Sequence, residues 1–426
     1  MNASIITIGD ELLIGQTIDT NSAFIAQEFN KKGIWVKRRV AVGDVAEDIE
    51  KALDEESLQA QIVILTGGLG PTADDITKPL LNNYFGGKMV IDPKVAEHIE
   101  YLFREVYRKP GPIAERNKKQ AEVPDVAKVL HNARGSAPGM WFEKTVKGRN
   151  VVFVSLPGVP HEMKGLLVEE VIPRLLKYFK FPFIIHRTAL TAGMGESMVA
   201  EQLIDFEAAL PRHIKLAYLP SYGAVKLRLT AQGQQEEQLS EQINFQFDQL
   251  TALLSDILVS KADEPIEKII GQLLLHRKKT MATAESCTGG NVAHWITRIP
   301  GASAYYNGSI VSYSNLIKEA LLAVPSGTLR MQGAVSSETV EAMVKGALQQ
   351  LGADYAVATS GIAGPDGGTP DKPVGTIWIA AGNQDRVVTK LLQLRFDREQ
   401  NIEITTMQAL LLLRRVILDL EADPAL

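Results

Sequence analysis

Ile62-Val-Ile-Leu-Thr66 runs directly into Gly67-Gly68-Leu69-Gly70-Pro71-Thr72-Ala73-Asp74-Asp75, and this stretch decides how the first part of the chain folds. The apolar run has the length and composition of a buried strand. Gly67, Gly68 and Gly70 let the backbone turn sharply and aim N–H groups at an oxyanion, with Thr72 in the same loop. Asp74 and Asp75 offer the hard oxygen ligands that hold a cation such as Mg²⁺. A second arrangement fits the same letters: a turn followed by an acidic helix start, favourable with no ligand at all. Upstream, Ile5-Ile-Thr-Ile8 leads into Gly9-Asp10-Glu11-Leu12-Leu13. A carboxylate pair, Asp10 and Glu11, then sits at the carboxyl end of a strand, where open α/β sheets bind ligands.

Around these loops, short apolar segments alternate with amphipathic ones. Segments 3–8, 35–42, 61–66 and 150–156 read as strands, and 21–32, 44–59 and 94–107 as helices. This predicts an α/β domain over residues 1–175 on a parallel or mixed sheet. Residues 180–259 read strand, helix, two strands, helix, a small α+β domain closed by the polar stretch Ser260-Lys-Ala-Asp-Glu-Pro265. Residues 266–422 alternate helix and strand again, as a second α/β domain, and end in a long helix over 399–420.

Composition narrows the classes. The 426 residues are 45% hydrophobic and 22% charged, as in globular proteins, and allow two to four domains. A net charge of −5 argues against a bulk electrostatic grip on nucleic acid. One cysteine excludes an intramolecular disulfide and a thiolate zinc cage within the chain. No apolar run is long enough to span a bilayer, and the first residues lack a cationic, apolar leader, so the cytosol is the expected compartment.

The most reactive-looking segment is Ala284-Glu285-Ser286-Cys287-Thr288-Gly289-Gly290, between the apolar stretch 280–284 and a helix expected over 291–297. It places a hydroxyl and a thiol at a helix mouth, where unpaired N–H groups favour a developing anion. That is the equipment of acyl transfer, a nucleophile beside an oxyanion cradle. Ser and Thr also start helices as plain caps. The lone Cys287 reads either as a thiol nucleophile or as a small buried hydrophobe. Gly361-Ile-Ala-Gly364-Pro-Asp-Gly-Gly368 is a ligand loop or a long turn, and Arg398 an anion clamp or a surface ion pair.

Taken together these stretches resemble the CinA family. The segment 67–77 looks like the signature of the molybdopterin-binding (MoaB/MogA-like) fold in its CinA version. Gly9-Asp-Glu-Leu-Leu13, Asn117-Lys-Lys-Gln-Ala121, Asn132-Ala-Arg-Gly-Ser-Ala-Pro-Gly139 and Leu156-Pro-Gly-Val-Pro-His-Glu-Met163 accompany it. The last block resembles the family's C-terminal amidase (PncC-like) domain through segment 284–290, Tyr313-Ser-Asn315, Gly333-Ala-Val-Ser336 and segment 360–368. The middle block is similar to the family's KH-like insert.

The resemblance implies, for the C-terminal domain, hydrolytic deamidation of nicotinamide mononucleotide to nicotinate mononucleotide and ammonia, without a cofactor. It maps the nucleophile onto Ser286 and its partners onto Tyr313 and Lys318. Thr288, Gly289, Gly290, Gly361, Gly364 and Arg398 are the expected substrate contacts. The chemistry agrees. Only His294 among seven histidines lies near this segment, whereas a desolvated lysine is neutral enough near pH 7 to act as base.

For the N-terminal domain the resemblance implies hydrolysis of ADP-ribose to AMP and ribose 5-phosphate. Gly67, Gly68, Gly70 and Thr72 would hold the substrate, and Asp10, Glu11, Asp74 and Asp75 a divalent metal such as Mg²⁺. Pterin binding without hydrolysis competes on the same loop, and the family name also suggests a binding role in competence or DNA damage. The nearest equivalent of a KH nucleic-acid loop, Gly193-Met194-Gly195-Glu196, has the wrong spacing and an adjacent acid. The expected partners are therefore small molecules and a second copy of the chain, with neither nucleic acid nor membrane.

Overall fold

A computed structural model describes residues 1–72, 75–108, 113–221 and 223–419. Asp74, an expected metal ligand, lies outside them. The described residues form two compact units, Met1–Ile185 with Gln232–Leu239, and His186–Ala231 with Ser240 onward.

In the first unit a six-stranded mixed sheet has the order 35–42, 2–8, 62–66, 149–156, 139–146, 128–130. The first four strands are parallel and the last two antiparallel. Ile62–Thr66 lies inside this sheet and every residue of it is buried. Alternate side chains of a strand face opposite sides, so the run feeds two cores. Ile62 and Ile64 pack with Ile25, Phe29 and Leu167, whereas Val63 and Leu65 pack with Ile49, Leu53 and Leu81. Strand Gly139–Val146 was not among the strands read from the sequence. Only its first half is buried, and exposed Glu143-Lys144-Thr145 break its pattern. The helix expected over 94–107 is α-helical over Pro93–Tyr101 and then widens into a π-turn over Leu102–Val106.

The second unit holds a four-stranded sheet, order 214–221, 224–233, 183–192, 258–260, and a five-stranded sheet, order 306–311, 281–285, 355–361, 376–382, 387–393. In the latter the first three strands are parallel and the last two antiparallel. Helix Ser337–Leu351 covers one face, contributing Met343, Val344 and Ala347 against Ala284, Ala356 and Ala358. Helices Ile266–Arg277, Asn291–Thr297 and Arg398–Ile417 cover the other, with Ile270, Trp295 and Leu410 in that core. Leu190, Ala192, Ala224 and Val259 from the smaller sheet join the same core. The polar stretch 260–265 therefore separates two sheets that share one apolar interior. Among the described residues no helix is long and apolar enough to cross a membrane.

Close packing fixes the walls of the C-terminal sheet. A Cβ added at Gly346 would collide with the backbone carbonyl of Leu322, at the end of helix Asn315–Leu322. Gly346→Ala should lower stability by about 1–3 kcal/mol, the usual cost of overpacking a tight contact, read as a shift of the urea midpoint. An unchanged midpoint would mean that helix 315–322 yields freely.

Candidate active site

The carboxyl ends of the parallel strands in the C-terminal sheet form a crevice. Strand Met281–Glu285 runs between Tyr306–Val311 and Tyr355–Gly361, pairing Glu285 with both Val311 and Thr359. The Ser286 amide donates to the Thr359 carbonyl at 2.9 Å, and the Ser312 amide to the Glu285 carbonyl at 2.7 Å. Ser286 and Ser312 thus leave the sheet side by side.

Lys318 reaches this point from the next helix. Ser314 caps Asn315–Leu322 by accepting from the Ile317 amide, and Lys318 and Leu322, one turn apart, face inward. Lys318 is 1% exposed. Its Nζ lies 3.0 Å from Ser286 Oγ and donates to the Ser312 carbonyl at 2.7 Å, with the Tyr313 carbonyl at 3.5 Å. No carboxylate among the described residues pairs with it. Burial therefore pulls its pKa below the ordinary lysine value, with only the neighbouring Cys287 acting in the other direction. A neutral amine here keeps N–H donors for the carbonyls and turns its lone pair to the serine hydroxyl.

The helix mouth differs from the sequence expectation. Its amides do not stand open to an anion, because the Glu285 carboxylate fills them. Glu285 Oε2 accepts from the amides of Gly290 and Val292, both at 3.0 Å, and Oε1 from Ala293 at 2.8 Å. Thr288 Oγ1 donates to Glu285 Oε2 at 2.7 Å and also meets Thr359 Oγ1. Its hydroxyl thus turns inward, while the residue still lines the cavity beside the serine. The amides of Cys287 and Thr288, the two residues after the serine, find no acceptor on another residue among the described residues. The sequence reading missed Glu285 altogether. The only signal was a carboxylate ending an otherwise uncharged strand.

Tyr313 needs a correction too. Its ring is 63% exposed, and no hydrogen bond links its phenol to Lys318 or Ser286 among the described residues. Instead the hydroxyl accepts from the Arg398 guanidinium at 3.0 Å, and only the carbonyl approaches Lys318. Arg398 also donates to the Gly364 carbonyl at 2.6 Å, leaving further donors of its planar fork for a ligand. Gly289, Gly290, His294, Arg398 and Glu403 line a cavity of about 560 Å³ beside the Ser286 turn. Gly361 is a packing glycine: a Cβ there would press into Ile377 of the neighbouring strand.

In the first unit Gly67 and Gly68 have φ of 119° and 63°, conformations that favour glycine. The turn is pinned by the Gly67 amide on the Leu156 carbonyl and by Thr66 Oγ1 on the Pro157 carbonyl. Asp75 does not stand free for a metal. Its oxygens accept from the Gly70 and Thr72 amides at 2.7 and 2.8 Å, and from the Thr72 hydroxyl. Asp10 Oδ1 accepts from the Asp44 amide, and the Glu11 carboxylate occupies the space a Cβ at Gly9 would need. Among the described residues no group of three or more His, Cys, Asp or Glu side chains could hold a metal ion. The expected divalent ion thus finds no ligand set among them.

The chain matches the family models "Probable molybdopterin binding domain" over residues 4–177, "Damage-inducible protein CinA KH domain" over 186–258 and "CinA C-terminal domain" over 263–417. A CinA-like protein of Cytophaga hutchinsonii is 49% identical over 413 residues, 97% of each chain. The chain belongs to the CinA family. A second CinA-like protein, from Flavobacterium psychrophilum, is 43% identical over 98% of this chain and 99% of its own length. A solved structure, the competence/damage inducible protein CihA from Agrobacterium tumefaciens, is 35% identical, covers 35% of this chain and 93% of its own, and has a TM-score of 0.35. Segment 284–290, whose Ser286 meets Lys318, lies within the stretch that matches the CinA C-terminal domain.

The thiol in this turn is buried, and burial pushes Cys287 up to about 12. Cys287 should accordingly resist iodoacetamide at pH 8 in the folded protein and react readily in urea, as followed by mass spectrometry. Fast alkylation of the folded protein with matching loss of activity would return the thiol to the role of nucleophile.

Proposed function

We propose that the C-terminal domain hydrolyses the carboxamide of nicotinamide mononucleotide, with Ser286 as nucleophile and Lys318 as general base. The observation that carries this reading is the 3.0 Å approach of the buried Lys318 amine to Ser286 Oγ. A serine hydroxyl attacks only when a base takes its proton as the bond forms. Lys318 takes that proton while Oγ adds to the carboxamide carbon. It then returns the proton to the leaving nitrogen, so ammonia departs and an acyl-serine remains. Water, deprotonated by the same amine, releases nicotinate mononucleotide and restores the hydroxyl. The Cys287 and Thr288 amides hold the oxyanion, and Arg398 takes the phosphate through its uncommitted N–H groups.

The sign of the pH dependence follows from the base. Only the neutral amine accepts a proton, and the Lys318 pKa is lowered, so kcat/KM should rise with pH through that pKa and level off below the range of an ordinary lysine. Ser286→Ala should reduce deamidation by at least roughly 10³-fold. Lys318→Met should cost about 10²–10⁴-fold. Lys318→Arg should fail as badly, because a guanidinium keeps its protons. Ammonia release measured from pH 6 to 10 checks all three, and a Lys318→Arg enzyme with wild-type activity would refute the base assignment.

For the N-terminal domain we propose, as a second reading, hydrolysis of the diphosphate of ADP-ribose at the Gly67–Gly68 turn. Its support is the left-handed glycine pair at the carboxyl end of an inner strand of the sheet. No step is assigned to a metal, since the described residues do not form its ligand set. Gly68→Ala combines a positive φ with a collision against the Thr77 hydroxyl, and should abolish AMP release from ADP-ribose. Wild-type protein that releases no AMP yet binds a pterin tightly would replace hydrolysis with pterin binding.

A further inference from the structure

We infer that Glu285 is the positioning residue of the nucleophile turn, a role that rests on the deamidase reading of the same site. Its carboxylate is wholly buried and accepts four hydrogen bonds from the segment that follows it: the hydroxyl of Thr288 and the amides of Gly290, Val292 and Ala293. Burying a charge is unfavourable unless such partners replace water. Here the amides at the start of helix Asn291–Thr297 supply both the donors and the positive end of the helix dipole.

The same residue ties down the opposite wall. Its backbone carbonyl accepts from the Ser312 amide at 2.7 Å, and the Ser312 carbonyl in turn accepts from Lys318 Nζ at 2.7 Å. One residue therefore fixes the turn that carries Ser286 and the carbonyl that receives the base. Gly290 serves this geometry. Its φ of 103° sits where the amide meets the carboxylate, a conformation a side chain would oppose. Two consequences follow. The helix amides are withdrawn from anion binding, which leaves the Cys287 and Thr288 amides as the nearest donors for an oxyanion. And the position of Ser286 Oγ depends on a carboxylate that never touches substrate.

Glu285→Gln tests this. It preserves shape but places an NH₂ group against amide donors at one end of the carboxylate site. Turnover of nicotinamide mononucleotide should fall by about 10²-fold, the scale of a small misplacement of a reacting group. Ground-state binding should persist. In a Ser286→Ala background, calorimetry should give the same Kd and the same stoichiometry with and without Glu285→Gln. Glu285→Asp, which keeps the charge but draws the turn back by one methylene, should show the same split and serves if the Gln variant does not fold. Turnover within about threefold of wild type in either folded variant would overturn the assignment. So would a binding stoichiometry that falls in step with turnover, the mark of simple misfolding. A wild-type enzyme as inert as Ser286→Ala would instead overturn the deamidase reading, and this role with it.

Discussion

The C-terminal site depends on a lysine held out of water with no counter-ion among the described residues. An amine in that position is costly as a cation, so burial lowers its pKa from the ordinary lysine value. The carbonyl of Ser312 and the hydroxyl of Ser286 are its hydrogen-bond partners, and a carboxylate beside it would favour the charged form instead. The parallel strands, the Ser314 cap and the inward face of helix Asn315–Leu322 all converge on this one contact.

A second constraint recurs in both units. Loops whose glycines suggest an open anion cradle are closed from within by a carboxylate. Asp75 takes the amides of Gly70 and Thr72, and Glu285 those of Gly290, Val292 and Ala293. Amides at a turn or helix start need acceptors whether or not a ligand is bound, and an acid nearby in sequence meets that need. Any anion that binds must then use the remaining amides or the cations. Arg398, bonded to the Gly364 carbonyl and the Tyr313 hydroxyl, keeps part of its guanidinium uncommitted beside the Ser286 turn.

Much of this was legible in the sequence because it is local. Strand Ile62–Thr66, helix Asn291–Thr297 and the serine turn between strand and helix are each written in a dozen residues or fewer. Lys318 was reached by family resemblance, since a single lysine on a helix carries no sign of burial. What escaped the reading is set by direction and by distance along the chain. Glu285 looks like the end of a strand until its side chain is seen folding forward over the turn. Tyr313 was named for its phenol, yet its carbonyl is the group that approaches the amine. Gly361 looked like a ligand glycine, and its reason is Ile377 on the adjacent strand. The shared core of the two sheets in the second unit was hidden by the polar segment 260–265, a boundary in composition that is not a boundary in packing.

The protonation state of one nitrogen decides the account. With ¹⁵Nζ-labelled lysine, the Lys318 resonance can be assigned by its loss in Lys318→Arg and titrated by NMR in the Ser286-intact protein. The account predicts a titration clearly below the ordinary lysine value of 10.5, so that the neutral amine is present in the pH range where the enzyme turns over. A Lys318 that stays fully protonated up to 10.5 would contradict it.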